Sequence, residues 1–335
     1  MTGSLATTAV TSVDLHAHLL PPAWVDQVAA TPSFGVSIRS DGDGYVLTLP
    51  DGRGDFGLSP EILDSSNRIK QLDSMGIQME LVSPPTPTLL YELDASSSQG
   101  IANLYNETIA ELCRASGGHL IGAATVPMAH PDLAVSELTH AIGTLGLRAL
   151  YVATQVGGRE LGDPQFEPVW RRLAELGAPL LIHPSQGGGN YERLNVRMLH
   201  NSLGNPFETA AAAASLIVNG VLDRIPDLHL ILVHGGGVFP YLLGRLDHSY
   251  HANPGARGST MPPRSYVERM YFDTLVHDPL VLSYLVDTVG EDRVVIGTDA
   301  PYNMGDRDPL ATIESVDSLT PDLLASNAAR ALGTD

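Results

Sequence analysis

The chain has almost no cysteine and almost no lysine. Its 335 residues include one cysteine, Cys113, so an intrachain disulfide, a cysteine-rich zinc module and an iron–sulfur cluster are all excluded. The 19 basic residues include a single lysine, Lys70. Any metal ion must therefore be held by histidine and carboxylate side chains, and a mechanism that needs a buried lysine has one candidate.

Basic charge and long apolar runs are also scarce. The 38 acidic residues outnumber the 19 basic ones and give a net charge of −19, which opposes binding to polyanions such as nucleic acids and anionic membranes. No run approaches the roughly 18 consecutive apolar residues of a membrane span, and the start MTGSLATTAV has no basic segment ahead of a long apolar one. We therefore expect a cytoplasmic protein without nucleic-acid or membrane partners.

The sequence does contain a regular alternation of short apolar runs and helical patterns. Eight runs rich in β-branched residues predict strands about 41 residues apart, a length that suits one strand, one helix and two loops. The predicted strands are Thr11–Leu15, Met79–Ser83, Leu120–Val126, Leu147–Val152, Pro179–Ile182, Leu228–Val233, Met270–Asp273 and Arg293–Gly297. Helices are predicted at about 58–74, 96–116, 130–144, 163–176, 206–219, 237–250 and 278–289, with a last covering helix over 319–333. The alternation predicts a single domain over residues 1–335, an α/β fold of the (β/α)8 TIM-barrel type.

Two segments interrupt the alternation. Residues 34–57 alternate apolar and polar positions around a Gly-Asp-Gly turn, which predicts a small β-hairpin inserted after the first strand as a flap. Residues 186–204 carry no strand pattern and follow the fifth predicted strand. They predict a long loop on the C-terminal face of the barrel, where long loops tend to be functional.

Ligand-type side chains stand at the ends of four predicted strands. His16 and His18 lie two residues apart at the end of the first strand, so both point to one side of an extended chain. The fifth, sixth and eighth strands end in His183, His234 and Asp299. Each of these taken alone is compatible with a structural role, such as a capped histidine or a turn aspartate. Because strand ends converge in a closed barrel, the five together predict a site for a metal ion that suits zinc, with manganese or iron as alternatives.

Longer motifs extend this pattern from about residue 12 to residue 333. They are D-x-H-x-H at the first predicted strand, I-H-P at the fifth, H-G-G-G-x-F-P-Y-x-x-G-R at the sixth, D-x-L-V-H-D-P-x-x-L at the seventh and I-G-T-D-x-P at the eighth. On these motifs the chain resembles the amidohydrolase superfamily and, within it, the decarboxylase branch around aminocarboxymuconate semialdehyde decarboxylase. The run LVHGGGVFPYLLGRLDH is the most specific of them to that branch.

The resemblance implies a ligand set and a catalytic residue. One metal ion would be held by His16, His18, His183 and Asp299. His234 would act beside it as the acid/base, and Asp299 would also take part in catalysis. Superfamily members with two metal ions bridge them through a carbamylated lysine on the fourth strand, and residues 149–152 contain no lysine. We therefore expect a single divalent ion, with zinc favoured over manganese or iron.

For the decarboxylase branch, the implied reaction is non-oxidative loss of carbon dioxide from an sp² carbon. That carbon must first be protonated, which requires a positioned donor such as His234 and a group that holds the carboxylate. Arg245 matches a family arginine that reaches across a dimer interface to the substrate carboxylate, so we expect a homodimer or a higher oligomer. The alternative for Arg245 is a surface ion pair with Asp247.

Departures from the family pattern bear on the substrate. The family's hairpin arginine has no match in residues 44–47, and Arg39 and Arg53 are the candidates to replace it. Ser185 and Ala300 stand where the family has aromatic side chains. We therefore expect a rebuilt pocket that takes an aromatic, heteroaromatic or muconate-semialdehyde-type carboxylate.

Two other classes of function stay open at this point. A metal-dependent hydrolase of a lactone, amide or ester would use the same five residues, with Asp299 taking the proton. A noncatalytic barrel protein would leave five ligand-type residues at strand ends without a purpose. The extended motif around His234 favours the decarboxylase, and it does so by resemblance and not by spacing. The family pattern favours a structural role for His277, which follows the seventh predicted strand.

Overall fold

Thirteen strands and twelve α-helices are present in residues 10–48, 54–185 and 192–334, which are the residues that the computed structural model describes. The strands are β1 (Val13–His18), β2 (Ser37–Asp41), β3 (Gly44–Thr48), β4 (Asp55–Leu58), β5 (Met79–Ser83), β6 (Leu120–Ala124), β7 (Ala149–Ala153), β8 (Gln155–Val156), β9 (Arg159–Glu160), β10 (Leu180–His183), β11 (Leu230–Leu232), β12 (Met270–Asp273) and β13 (Val294–Val295). The helices are α1 (Pro22–Ala29), α2 (Pro60–Leu63), α3 (Arg68–Met75), α4 (Ala95–Ala115), α5 (Pro131–Gly143), α6 (Glu167–Glu175), α7 (Asn205–Val218), α8 (Val221–Arg224), α9 (Phe239–Ala252), α10 (Pro279–Val289), α11 (Pro309–Glu314) and α12 (Pro321–Ala331).

Eight of these strands form one parallel sheet in the order β1-β5-β6-β7-β10-β11-β12-β13. The sheet closes on itself where the chain after β13 runs beside β1. There the backbone N–H of Leu15 donates to the carbonyl of Ile296 at 2.9 Å, and that of His18 donates to Ala300 at 2.7 Å. The eight predicted strands and the (β/α)8 barrel are confirmed.

The interior of the barrel is filled by alternate residues of the strands, as the two-residue period of a strand requires. One buried apolar cluster gathers these inward side chains, among them Leu15, Leu81, Tyr151, Leu181 and Ile231. Residues of α12 join the same cluster, so this last helix closes the N-terminal end of the barrel. The opposite end, where the strands finish, is the end at which functional sites of this fold lie.

The predicted helix over 58–74 is interrupted. The segment consists of two helices, α2 and α3. Between them the side chain of Asp64 accepts a backbone N–H that would donate to a backbone carbonyl in a continuous helix. One carboxylate oxygen of Asp64 accepts hydrogen bonds from the hydroxyl of Ser66 at 2.8 Å and from the backbone N–H of Asn67 at 3.0 Å. Aspartate competes with the backbone in this way at helix ends and turns.

The inserted segment forms a three-stranded antiparallel sheet in which β3 pairs with both β2 and β4. The third strand was not part of the predicted hairpin. Arg39 on β2 forms an ion pair with Asp55 on β4 at 3.0 Å, so its guanidinium is used within this sheet. Arg53, the other candidate for the family's hairpin arginine, lies outside the described residues. The role of the segment as a flap stays a prediction.

The long loop predicted over 186–204 is described only in part, because residues 186–191 lie outside the described residues. Its end, His200–Gly204, forms a single π-helical turn that leads directly into α7. Among the described residues, no helix is both long and apolar enough to cross a membrane.

Candidate metal centre and its cavity

Two of the five ligand-type side chains, His183 and Asp299, are in phase with the inward-facing residues of their strands. Leu181 faces inward on β10, and His183 is two residues further along the same strand. Val295 faces inward on β13, and Asp299 follows it by four residues, beyond the end of the strand and with a left-handed φ of +55°. The backbone carbonyl of His16 accepts the N–H of Asp299 at 2.7 Å, which fixes the eighth strand end against the first.

The other three, His16, His18 and His234, need a break in the regular backbone. On β1, Val13 and Leu15 face the interior, so alternation alone would direct His16 away from it. A bulge between Asp14 and Ala17 shifts the register by one residue, and beyond it His16 and His18 both face inward. His234 follows an inward-facing Val233 and reaches the site through a left-handed backbone with φ +56°.

The five side chains form one compact cluster around the carboxylate of Asp299. Its Oδ1 lies 3.3 Å from Nε2 of His16 and 3.0 Å from Nε2 of His18, and its Oδ2 lies 3.9 Å from Nε2 of His234. The ring of His183 is 4.8 Å from that of His18, centre to centre. Despite this closeness, the Nε2 atoms of His16, His18 and His183 and the Oδ1 of Asp299 are buried without a hydrogen-bond partner.

The second ring nitrogen of each of these three histidines is occupied by an outer partner. Nδ1 of His16 bonds to a carboxylate oxygen of Asp273 at 2.7 Å. Nδ1 of His18 lies 3.3 Å from the carbonyl of Pro84, and Nδ1 of His183 donates to the carbonyl of Pro184 at 2.7 Å. Nδ1 engaged and Nε2 bare is the arrangement of metal-binding histidines, so the orphaned Nε2 atoms fit a bound ion.

The chain therefore has a site for a divalent metal ion. Ligand atoms of His16, His183, His234 and Asp299 all lie within 4.8 Å of one another. This set contains His234, which the resemblance assigned to acid/base chemistry, in place of His18. Nε2 of His18 nevertheless stands 3.0 Å from Asp299, closer than that of His234. The first prediction below tests His18 as a ligand, and the third prediction tests His234.

The electrostatics of the cluster favour the metal-binding protonation state at Asp299, His18 and His183, but not at His16, where a metal ion has to displace a proton. Burial raises the pKa of Asp299, but His16 and the other imidazoles outweigh this and hold the pKa well below its usual value. Burial lowers the pKa of His18, and it lowers that of His183 well below the usual range. At His16 the effect of burial is overcome by the carboxylates of Asp299 and Asp273, which raise the pKa to about 10. An ionised aspartate and neutral imidazoles are the metal-binding forms.

Asp273 is a residue of this site to which the sequence analysis gave no role. Its Oδ2 holds His16, while its Oδ1 accepts the backbone N–H of Gly235 at 2.7 Å and that of Leu275 at 3.2 Å. Gly297 makes room for it, since a Cβ there would lie 2.6 Å from the Cβ of Asp273. The carboxylate stands at the end of the seventh strand, so its position among the other strand ends was a usable signal.

A cavity of about 560 Å³ opens beside the cluster. The described residues of its wall are mainly apolar or neutral polar and include no lysine or arginine: Thr86, Pro87, His183, Pro184, Met198, Asn201, Ser202, Asn205, Pro206, His234, Gly237, Val238, Leu275, Val276, His277, Val281, Asp299, Tyr302, Asn303 and Met304. Tyr302 places its ring 5.0 Å from that of His18. It supplies an aromatic wall two residues beyond Ala300, the position at which the family has an aromatic side chain.

The predicted substrate-binding residue, Arg245, is not on this wall. Arg245 is exposed on α9, and within the described part of the chain it forms no ion pair. Its alternative partner, Asp247, instead accepts from the guanidinium of Arg264 at 3.2 Å. His277, for which a structural role was favoured, does line the cavity, and its backbone is left-handed with φ +61°.

A barrel whose strand ends collect four histidines and an aspartate has the architecture of the metal-dependent amidohydrolases. The family profile described as Amidohydrolase matches residues 13–334, so the chain belongs to this family. The resemblance found in the sequence is thereby confirmed.

Several proteins to which the chain is similar are decarboxylases. The 2-amino-3-carboxymuconate-6-semialdehyde decarboxylase of Dictyostelium discoideum is 31% identical over 330 residues, which cover 96% of this chain and 92% of that protein. Gamma-resorcylate decarboxylase of Rhizobium radiobacter is 28% identical over 269 residues, with 73% of this chain and 79% of that protein covered. A solved structure of 5-carboxyvanillate decarboxylase from Novosphingobium aromaticivorans, with bound manganese, has a TM-score of 0.80 at 20% identity and covers 99% of this chain and 100% of that chain.

The first prediction concerns metal content. The purified chain should hold one tightly bound divalent ion, measured by elemental analysis after dialysis. His18→Ala should lose most of it, because Nε2 of His18 is bare and 3.0 Å from Asp299. His277→Ala, at another histidine of the cavity wall, is the matched control and should keep the ion. Two tightly bound ions per chain, or full occupancy in His18→Ala, would contradict the assignment.

The second prediction concerns Asp273. Asp273→Asn should weaken metal binding about 10- to 100-fold in competition with a chelator, because His16 loses its carboxylate partner. Asp278→Asn is the control, since Asp278 caps α10 only five residues away and asparagine caps helices equally well. Equal metal affinity in the two variants would show that Asp273 does not orient the ligand.

Proposed function

We propose that this protein is a metal-dependent, non-oxidative decarboxylase of an aromatic, heteroaromatic or muconate-semialdehyde-type carboxylate. The observation that supports this most is the cluster itself: bare Nε2 atoms directed at an ionised aspartate, on the wall of a cavity large enough for a single-ring substrate. The decarboxylases among its relatives support the choice of reaction.

In the proposed mechanism the ion is held by His16, His18, His183 and Asp299. When bound, it supplies a positive charge that anchors and polarises oxygen atoms of the substrate. The donor set of three imidazoles and one carboxylate suits zinc, with manganese and iron as alternatives, and manganese is the ion bound in one structural neighbour.

His234 is the proposed proton donor. Its ring lies on the cavity wall, 5.0 Å from the ring of His16, and its Nδ1 has no hydrogen-bond partner among the described residues. It gives a proton to the ring carbon that bears the carboxylate. The bond between that carbon and the carboxylate then breaks, carbon dioxide leaves, and the bonding electrons return to the ring.

The described wall offers the substrate no cationic side chain, so a carboxylate needs one from elsewhere. We propose that Arg245 of a second copy supplies it in a homodimer or larger assembly. Tyr241, one helical turn before Arg245, is 74% exposed, and Leu280 on the neighbouring α10 is 81% exposed. The hydroxyl of Tyr284 on α10 donates to the carbonyl of Pro240 and joins the two helices. Exposed apolar side chains grouped in this way support an interface between copies.

A hydrolase of a lactone, amide or ester is the alternative. Asp299 has a carboxylate oxygen without a hydrogen-bond partner, so it is available to accept the proton of an attacking water. Release of carbon dioxide from candidate acids against opening of candidate lactones separates the two reactions.

The third prediction tests the reaction and the donor together. The metal-loaded protein should release carbon dioxide from at least one of a panel of hydroxybenzoates, hydroxypicolinates and muconate semialdehydes. His234→Ala should keep the ion and lose about a hundredfold or more in rate, the usual value of a positioned proton donor. His140→Ala, on the outer helix α5, should behave like the parent. Loss of the ion together with activity in His234→Ala would mean that His234 is a ligand.

The fourth prediction tests the shared site. Arg245→Ala should mainly raise the Michaelis constant for the carboxylate and leave metal content unchanged, because the guanidinium acts on the substrate. Mixing Arg245→Ala with His234→Ala should restore partial activity, since one site of a mixed dimer carries both intact groups. A fully active monomer in ultracentrifugation, or no rescue although subunits exchange, would return Arg245 to the solvent-exposed surface of α9.

A further inference from the structure

Asn205 carries a side chain that nothing in the proposed reaction yet uses. It is the first residue of α7, directly after the π-helical turn His200–Gly204, and it lies on the cavity wall. Only 7% of the residue is exposed. Its amide oxygen is buried and has no hydrogen-bond partner.

An unpaired amide in this position is costly, because burial removes water from a group that then finds no replacement partner. Among described buried asparagines, Asn106 shows the usual outcome. Its amide nitrogen donates to Thr125 and Glu137, and its amide oxygen accepts from the backbone N–H of Thr125. The amide oxygen of Asn205 lacks such a contact, and a group left unpaired at a cavity wall is free for a ligand.

The backbone holds Asn205 firmly next to the proposed proton donor. The carbonyl of Pro206 accepts the N–H of Val238 at 3.2 Å, which ties the start of α7 to the loop that follows His234. The two segments touch so closely that a Cβ on Gly237 would lie 1.9 Å from that carbonyl oxygen. The amide and His234 therefore form one rigid side of the cavity.

Two hydroxyl groups of the same wall are committed elsewhere. The hydroxyl of Thr86 is shared among Tyr151, His183 and the carbonyl of Pro184. The hydroxyl of Ser202 donates to the carbonyl of Met198 and is exposed to solvent. The amides of Asn201 and Asn303 are less buried, so Asn205 is the buried amide of the described wall.

We propose that Asn205 is a specificity-determining residue whose amide oxygen accepts a hydrogen bond from a hydroxyl or N–H group on the ring of the substrate. This inference rests on the proposed function, because it takes the ligand of the cavity to be the substrate. It narrows the substrate class to carboxylates with a hydrogen-bond donor on the ring. A ring without the donor leaves the amide unpaired and is disfavoured, which is how a buried polar group discriminates between ligands.

The test uses uncharged rings that carry no carboxylate, so that nothing is decarboxylated during the measurement. Binding of phenol, catechol, resorcinol and hydroquinone to the metal-loaded protein is measured by calorimetry. The benefit of the second hydroxyl is the ratio of the phenol dissociation constant to that of each dihydroxybenzene. At one ring position or more, this benefit should be about tenfold or larger in the parent. It should fall to within about twofold of unity in Asn205→Leu.

Asn205→Asp keeps an acceptor and should keep the benefit. Thermal unfolding gives a second readout: Asn205→Leu should not lower the melting temperature, whereas Asn106→Leu should lower it, because Asn106 has partners to lose. A structural role for Asn205 predicts the reverse, with a lower melting temperature and an unchanged benefit. No benefit in the parent, or the same benefit in Asn205→Leu, would overturn the inference.

Failure of the proposed function looks different. The parent would then bind the dihydroxybenzenes with the expected dependence on Asn205 and yet release no carbon dioxide from any carboxylate of the panel.

Discussion

The carboxylate of Asp273 is the contact on which the rest of the site depends. One of its oxygens fixes the ring of His16, and the other receives the backbone N–H of Gly235, the residue after His234. The same buried group therefore sets the direction of a ligand and the path of the loop that carries the proposed proton donor. Gly297 leaves it the space to do so. Asp273, at the end of the seventh barrel strand, thereby fixes the ends of the first and sixth strands relative to each other.

Around this contact the cluster combines the ionised carboxyl group of Asp299 with the imidazoles of His18 and His183, which burial keeps neutral, and with that of His16, whose pKa is raised by its carboxylate partners. The Nδ1 atoms are engaged with Asp273, Pro84 and Pro184, so each ring has one defined tautomer and one bare nitrogen. Because bare buried nitrogens are costly in a protein without a ligand, the arrangement is stable only as a binding site. The same logic applies to the amide oxygen of Asn205 on the cavity wall, which is also bare.

Sequence patterns predicted the barrel and brought the right five residues to one end of it, since the two-residue strand period and the convergence of strand ends are both general. They placed His183 for the correct reason. The reason was incomplete for His16, because the bulge that turns it inward is invisible in the sequence, and for Asp299, because its backbone is left-handed beyond the end of β13. His234 likewise depends on a left-handed residue that local propensity disfavours. Asn205 was not found, because an unpaired side chain is a property of three-dimensional packing and leaves no periodic signal.

Charge supports the proposal that Arg245 acts on the cavity of a second copy. The protein is strongly acidic, and a carboxylate that enters the cavity meets the ion and the imidazoles but no arginine or lysine on the described wall. Arg39, the one described candidate on the inserted sheet, is already paired with Asp55. Arg245 by contrast is exposed and unpaired among the described residues, on a helix with exposed apolar neighbours. An arginine that faces outward from an acidic chain adds little to that chain's own stability, which supports the proposal that Arg245 offers its positive charge to the cavity of a second copy.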